Sequence, residues 1–230
     1  MGKPCDLEGK FAIVSGAVQG IGQSIAELLI RNRATVVSWD LKPVRAVGLR
    51  ASIVDLTDPQ SIREALADIG SDQRIDMQFP QADLPIMLRQ RSGRIVRLGS
   101  LAGKEGLRGL AVCSAASAGV IAFTKVLSRE VTPENVFLNC VAPGPIETNM
   151  IRSLGPDVVT RMIRDSPMGR LGQPEELANM VAWLCSEASC FNSGAVFYMS
   201  GCRARHRAAA AYCLTDAGPP EDRVPSTCPG

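Results

Sequence analysis

Residues 11 to 22 constrain this chain more than any other stretch. Phe11-Ala-Ile-Val-Ser15 is a short apolar run that reads as a buried parallel strand. Ser15-Gly16-Ala17-Val18-Gln19-Gly20-Ile21-Gly22 follows as a glycine-rich turn. Ile21, Ile25, Leu28 and Leu29 then recur at helical spacing up to about Arg31. A strand that enters a helix through so tight a turn needs residues without a Cβ. The helix start offers free N–H groups and the positive end of its dipole to a phosphate. In this strand-turn-helix context the glycines predict a dinucleotide cradle, with the pyrophosphate against the turn. A tight turn with no ligand is the alternative at this point.

The same alternation continues along the chain. Ala34-Thr-Val-Val-Ser-Trp39 reads as a second buried strand, and Ile53-Val54, closed by Asp55, as part of a third. Asp58-Pro59 opens a helix with Asp at the cap and Pro at the first position, carrying Ile62, Ala65, Leu66 and Ile69 on one face. Strands are predicted at 93–98, 136–141 and 195–199, and helices at 113–131 and from Pro174, with Leu177, Met180, Val181 and Leu184 at core spacing. This is the pattern of an α/β, doubly wound parallel sheet, Rossmann-like, in one domain over residues 1–201. Residues 202–230 carry no core periodicity and are expected to form a disordered tail.

Asp40 ends the second strand, 18 positions after Gly22. An acid near that spacing accepts from an adenine ribose 2′-OH and repels a 2′-phosphate, which favours NAD over NADP. Lys42 softens that preference, and a strand-end Asp starting the Leu-Lys-Pro turn is the competing role. Asp55 and Leu56 close the third strand at the same edge, where adenine would lie.

Composition removes other classes. A formal net charge of +2 nominates no nucleic-acid or membrane partner. The longest notable uncharged run, 109–124, has 16 residues and falls short of the ~20 that span a bilayer. The single His, at 206, and eight cysteines without metal-ligand spacing predict no metal site. The first ten residues have no apolar signal region. The expectation is a soluble protein of the cytoplasm or another reducing compartment.

Together, Ser-Gly-x-x-x-Gly-Ile-Gly at 15–22, Asp40 and Asp55 resemble the short-chain dehydrogenase/reductase family. Later stretches are similar too: Asn139-Cys-Val-Ala-Pro143-Gly144-Pro-Ile146-Glu-Thr148, Pro167 to Glu176, and Gly194 to Gly201. The resemblance covers residues 7–77 and 81–201 and is nearest to the 3-oxoacyl-acyl-carrier-protein reductases and related alcohol dehydrogenases. It implies cofactor contacts at Ser15, Gly16, Gln19, Gly20, Ile21, Gly22, Asp40, Asp55, Leu56, Pro143, Gly144, Ile146 and Thr148. It also implies a nicotinamide dinucleotide as cofactor, a small alcohol or carbonyl substrate, and homo- or hetero-oligomers paired through helices near 84–91 and 113–131.

The family's chemistry uses a Ser, a Tyr and a Lys, supported by an Asn. The Tyr is the general acid/base, and the Lys lowers its pKa and holds the ribose. Ser100 matches the Ser, but the Tyr position is Cys113 and the Lys position is Ser117. The chain has only two tyrosines, Tyr198 and Tyr212, and no Tyr-x-x-x-Lys. A thiol cannot reach as far as a phenol, and Ser117 supplies no cation. Loss of positioned acid/base catalysis costs about 10² to 10⁴ in rate. Cys113 is expected to be buried and inert, and activity weak or absent.

A second departure is larger. Asp55 to Ser100 spans 45 positions, and the family pattern needs roughly 30 more residues there, one strand-helix unit. The break is expected near 77–81, with the central strand absent or improvised, and the segment at Leu84 reads as the end of the lost helix. Three functions follow as expectations: a catalytically impaired oxidoreductase relative, a non-catalytic partner subunit of an active one, or an aberrant product with no independent role.

Overall fold

The computed structural model describes residues 5–43, 48–70, 74–78 and 84–204. Among them, β1 (Phe11–Ser15), α1 (Gly20–Arg31), β2 (Thr35–Asp40), β3 (Leu49–Ile53) and α2 (Pro59–Ile69) make the first half. The second half follows as β4 (Met77–Gln78), α3 (Leu84–Gln90), β5 (Gly93–Leu98), α4 (Ala102–Glu105) and α5 (Ala111–Val131). It continues with β6 (Val136–Pro143), α6 (Asn149–Arg152), α7 (Pro156–Arg164), α8 (Pro174–Cys185) and β7 (Val196–Met199). The seven strands are parallel, in the order β3-β2-β1-β4-β5-β6-β7. The order reverses between β1 and β4, and that switch point is where such sheets bind ligands.

Alternation along the strands sends successive side chains to opposite faces. Ala12, Val14, Val36, Val96 and Val141 meet Ile25 and Leu29 of α1 and Leu177, Val181 and Leu184 of α8. Phe11, Ile13, Val37, Ile95 and Leu138 meet Ala65 and Ile69 of α2, Met87 of α3, and Leu127 and Val131 of α5. Both faces are therefore covered, as a parallel sheet requires. The cap read at Asp58 is formed: its carboxylate accepts from Gln60 N at 2.9 Å. Residues 111–134 are long and apolar enough to cross a membrane by length and composition. Ile121, Leu127 and Val131 are instead buried in this α/β fold.

The central strand, expected to be absent or improvised, is present as β4 between β1 and β5. Among the described residues, β4 comprises Met77 and Gln78, and α3 has seven residues. Among the described residues, β4 pairs with β1 at Ala12 and Ile13 and with β5 at Arg94 and Ile95. Side chains secure this segment. The Gln90 amide accepts from Ile75 N at 2.9 Å and donates to Ile75 O at 2.8 Å, copying a ladder pair. The buried Asp76 carboxylate accepts from Phe11 N at 3.1 Å and from Arg74 Nε at 2.6 Å. Residues 79–83, where Pro80 interrupts the pattern, and the expected tail from 205 onward lie outside the described residues.

Candidate functional site

The cradle forms at the end of β1. Gly16 and Gly20 have φ of +70° and +59°, the left-handed region that favours glycine. A Cβ on Gly22 would overlap the Gly16 carbonyl, so the turn closes only because that residue is glycine. Gly16 N donates to Trp39 O at 3.0 Å and ties the turn to β2. Gln19 caps α1 without a side-chain hydrogen bond, and the first turn of the helix carries no acid. The helix start is thus left to an anion, and Ser15 to Gly22 have the backbone that a pyrophosphate needs.

Asp40 performs the turn role and keeps capacity for more. Its Oδ2 accepts from Val18 N at 3.2 Å and its Oδ1 from Lys42 N at 3.3 Å. A carboxylate has about four acceptor sites, so two remain. The carboxylate therefore braces the glycine turn from the end of β2. Asp55 lies two residues beyond β3, which begins earlier than the sequence suggested. Its Oδ1 accepts from Thr57 Oγ1 at 2.7 Å and Thr57 N at 2.8 Å, and these bonds hold the carboxyl below its usual range. Leu56 is exposed beside it.

The second group of residues gathers across the switch point. Leu101 N donates to Pro143 O at 2.8 Å, which sets the Ser100 turn against the end of β6. Ser100 Oγ accepts from Ala102 N at 3.1 Å and starts α4. A Cβ on Gly103 would stand 2.7 Å from Ser117 Cβ, so α4 rests on α5 at that position. Gly144 N donates to Met199 O at 2.9 Å, and Ile146 is buried and bridges to Gly172. Thr148 caps α6, its Oγ1 accepting from Ile151 N at 3.4 Å. Its methyl lies 3.3 Å from where a Cβ of Gly20 would be, which joins this loop to the cradle. A cavity of about 260 Å³ opens beside the loop, lined by Pro145, Ile146, Met168, Tyr198 and Ser200 among others.

Cys113 corrects the expectation of a buried thiol: it is exposed, because it lies on the outer side of the first turn of α5. Ser117, one turn later, is the buried member, and its Oγ is 4.0 Å from Cys113 Sγ. Among the described residues Cys140 and Cys185 are the buried thiols, and burial pushes Cys185 up to about 12. No group of three or more His, Cys, Asp or Glu that could hold a metal is found among the described residues. Sequence reasoning missed Gln90, whose amide is an ordinary polar residue until α3 is placed against Ile75.

A family model described as enoyl-(acyl carrier protein) reductase matches residues 77–201. A 3-oxoacyl-(acyl-carrier-protein) reductase of Vibrio harveyi is 33% identical over 238 residues, covering 85% of this chain and 98% of that protein. The chain belongs to the short-chain dehydrogenase/reductase family. A family member from Aquifex aeolicus with the same enzyme name is 32% identical, over 85% of this chain and 97% of its own. Among solved structures, gox2181 superposes with a TM-score of 0.80 at 26% identity, over 87% of this chain and 97% of that one. A putative gluconate dehydrogenase from Agrobacterium tumefaciens shares the fold, with a TM-score of 0.81 at 22% identity. This family is one of oxidoreductases that use a nicotinamide cofactor. The Vibrio harveyi comparison runs over 238 positions, yet 85% of 230 residues is about 196, so about 42 positions have no counterpart here.

Proposed function

We propose that this chain is a nucleotide-binding family member with little or no hydride-transfer activity. One observation carries the reading: the positions of the acid/base pair hold an exposed Cys113 and a buried Ser117, while the glycine cradle keeps its backbone. The cradle fits a nicotinamide dinucleotide at the pyrophosphate, since Gly22 tolerates no Cβ and the α1 start is uncapped by a side chain. Asp40, with two free acceptor sites on a partly buried carboxylate, supports NAD over NADP. The cofactor supplies the hydride chemistry when bound. Around it, Ser15 to Gly22 would bind the pyrophosphate, and Pro143 to Thr148 would flank its far side. Ser100 would orient an alcohol or carbonyl oxygen. Neither Cys113 nor Ser117 provides a phenol or a fixed positive charge for the proton.

Calorimetric titration with NAD, paired with NADH oxidation across a carbonyl panel, tests this reading. Saturable binding without turnover is the expected result. Robust oxidation that disappears in Ser100→Ala would overturn it. The double substitution Cys113→Tyr, Ser117→Lys locates the defect: rescue assigns it to those two residues, and binding without rescue assigns it to β4 and α3.

A second reading, a non-catalytic partner subunit, is favoured by the outer side of α5. Val112 is 85% exposed and Val126 59%, whereas Ser117, Thr124 and Ser128 face inward. A helix that covers the sheet with Ile121, Leu127 and Val131 and still leaves Val112 and Val126 exposed has aliphatic surface suited to pairing. Co-purification with an intact family member tests this, and a monomer in its presence would count against it.

A further inference from the structure

We infer that the cavity beside the β6 loop is a second ligand site, for a small uncharged amide on a short apolar body. The inference goes beyond the nucleotide reading and does not depend on it. The cavity, of about 260 Å³, lies between the β6–α6 connection, the α7–α8 connection, the first turn of α8 and the end of β7. Among the described residues, neither the glycine turn nor Ser100, Cys113 or Ser117 lines it. A ligand there is therefore not placed against the Ser100 turn. Ile146 is the wall that the cavity shares with the loop flanking the cofactor position.

The polar groups of the cavity call for a ligand. Ser166 is 6% exposed, and its hydroxyl has no hydrogen-bond partner among the described residues. The end of β7 runs close beside it: a Cβ on Gly201 would stand 2.8 Å from Ser166 Oγ. A buried hydroxyl left unpaired destabilises a fold, so native proteins supply it with a partner. The open side of Ser166 is the cavity. The Tyr198 hydroxyl also has no partner among the described residues, and its ring is held by Lys104, whose Nζ lies 4.7 Å from the ring centroid. Burial pushes the Tyr198 phenol above its usual range, so it keeps its proton and is a donor at neutral pH. Ser200 Oγ accepts from Ala204 N at 3.1 Å and retains its own O–H. Three hydroxyl donors thus border one cavity, and a strong neutral acceptor such as an amide oxygen is their complement. A bridging water would satisfy one or two of them, but the cavity has many times the room that a single water needs.

The rest of the lining sets charge and size. Arg170 Nη1 and Nη2 donate to the two oxygens of Glu176 at 2.8 and 2.7 Å, and Glu176 also accepts from Gln173 N at 2.7 Å. The two charges cancel in a bidentate pair, which leaves no net charge for an ionic ligand. Ile146, Met168, Leu171, Leu177 and Met199 supply apolar walls. The volume lies just under the roughly 300–1,000 Å³ of drug-sized sites, so the ligand is of fragment size.

Ligand-observed NMR on the full chain, without nucleotide, tests the inference with N-butylacetamide as the probe and hexanoate as a charged counterpart of equal heavy-atom count. The amide is expected to bind with a Kd on the order of 1 mM, and hexanoate at least about tenfold more weakly. Ser166→Ala and Tyr198→Phe each remove only a hydroxyl. Each should weaken amide binding by about three- to tenfold while circular dichroism stays that of the parent. Hexanoate binding as tightly as the amide would overturn the ligand class. Amide binding unchanged in both variants, or no amide binding at about 20 mM, would overturn the site.

Discussion

Replacing Gln90 with alanine tests what secures the entry to the central strand of the sheet. Ile75 is fully buried, and its N–H and C=O are both bonded to the Gln90 amide, at 2.9 and 2.8 Å. The substitution leaves a buried donor and a buried acceptor unpaired. Each unsatisfied group costs about 1–3 kcal/mol, so the loss should be about 2–4 kcal/mol once partial hydration through the opened gap is allowed for. That is a large share of the roughly 5–15 kcal/mol that holds a domain together. For a chain of this size it corresponds to a fall in Tm of about 5–15 °C. Urea unfolding followed by circular dichroism measures it, with Gln60→Ala as the control. Gln60 is an exposed amide on α2 that bonds only to neighbours on its own helix, so its loss should change stability by less than about 0.5 kcal/mol. A Gln90→Ala protein within that margin of the parent would refute the claim that the Gln90 amide stands in for ladder bonds at Ile75.

Three further outcomes follow from particular residues. Cys202 has φ of +66°, so Cys202→Gly should raise stability by about 0.5–1 kcal/mol after the entropic cost of glycine; a lower urea midpoint would contradict this. Glu176 is held at about 2 by the Arg170 fork and by Gln173 N, below its ordinary 4.5. Its contribution is fully present above the unfolded value and is lost as pH falls from about 4.5 toward 2, so a Tm-against-pH curve for Glu176→Gln should be flatter than the parent's in that window. Gly20→Val places a branched side chain against Thr148 at a positive φ, and should weaken nucleotide binding by at least about tenfold in a titration.

Much of the fold was legible because its signals are local. The apolar run at 11–15, the glycines at 16, 20 and 22, and the Asp58-Pro59 start each act within a few residues of chain. β5 matches the expected span, and α8 begins at the expected Pro174. Short helices such as α6 and α7 went unread, since four to nine residues carry too little periodicity to stand out. Site chemistry was legible as identity but not as exposure. The sequence shows Cys113 and Ser117 one helical turn apart, yet which of them faces the sheet depends on the rotation of α5, set by Ile121, Thr124 and Leu127 further along.

By itself, then, the sequence determined the order of the strands and longer helices, the glycine turn after β1 and the lack of any Tyr-x-x-x-Lys, because each is a property of neighbouring residues. It also determined that something was missing between Asp55 and Ser100, because length is conserved by any folding of the chain. Only the tertiary structure decided what became of the gap. A parallel sheet cannot leave buried N–H and C=O groups at its centre unpaired, so the Gln90 amide takes both groups of Ile75 and the Asp76 carboxylate takes the N–H of Phe11. Phe11 of β1 and Gln90 of α3 lie apart from this segment in sequence and meet it only when both faces of the sheet are packed.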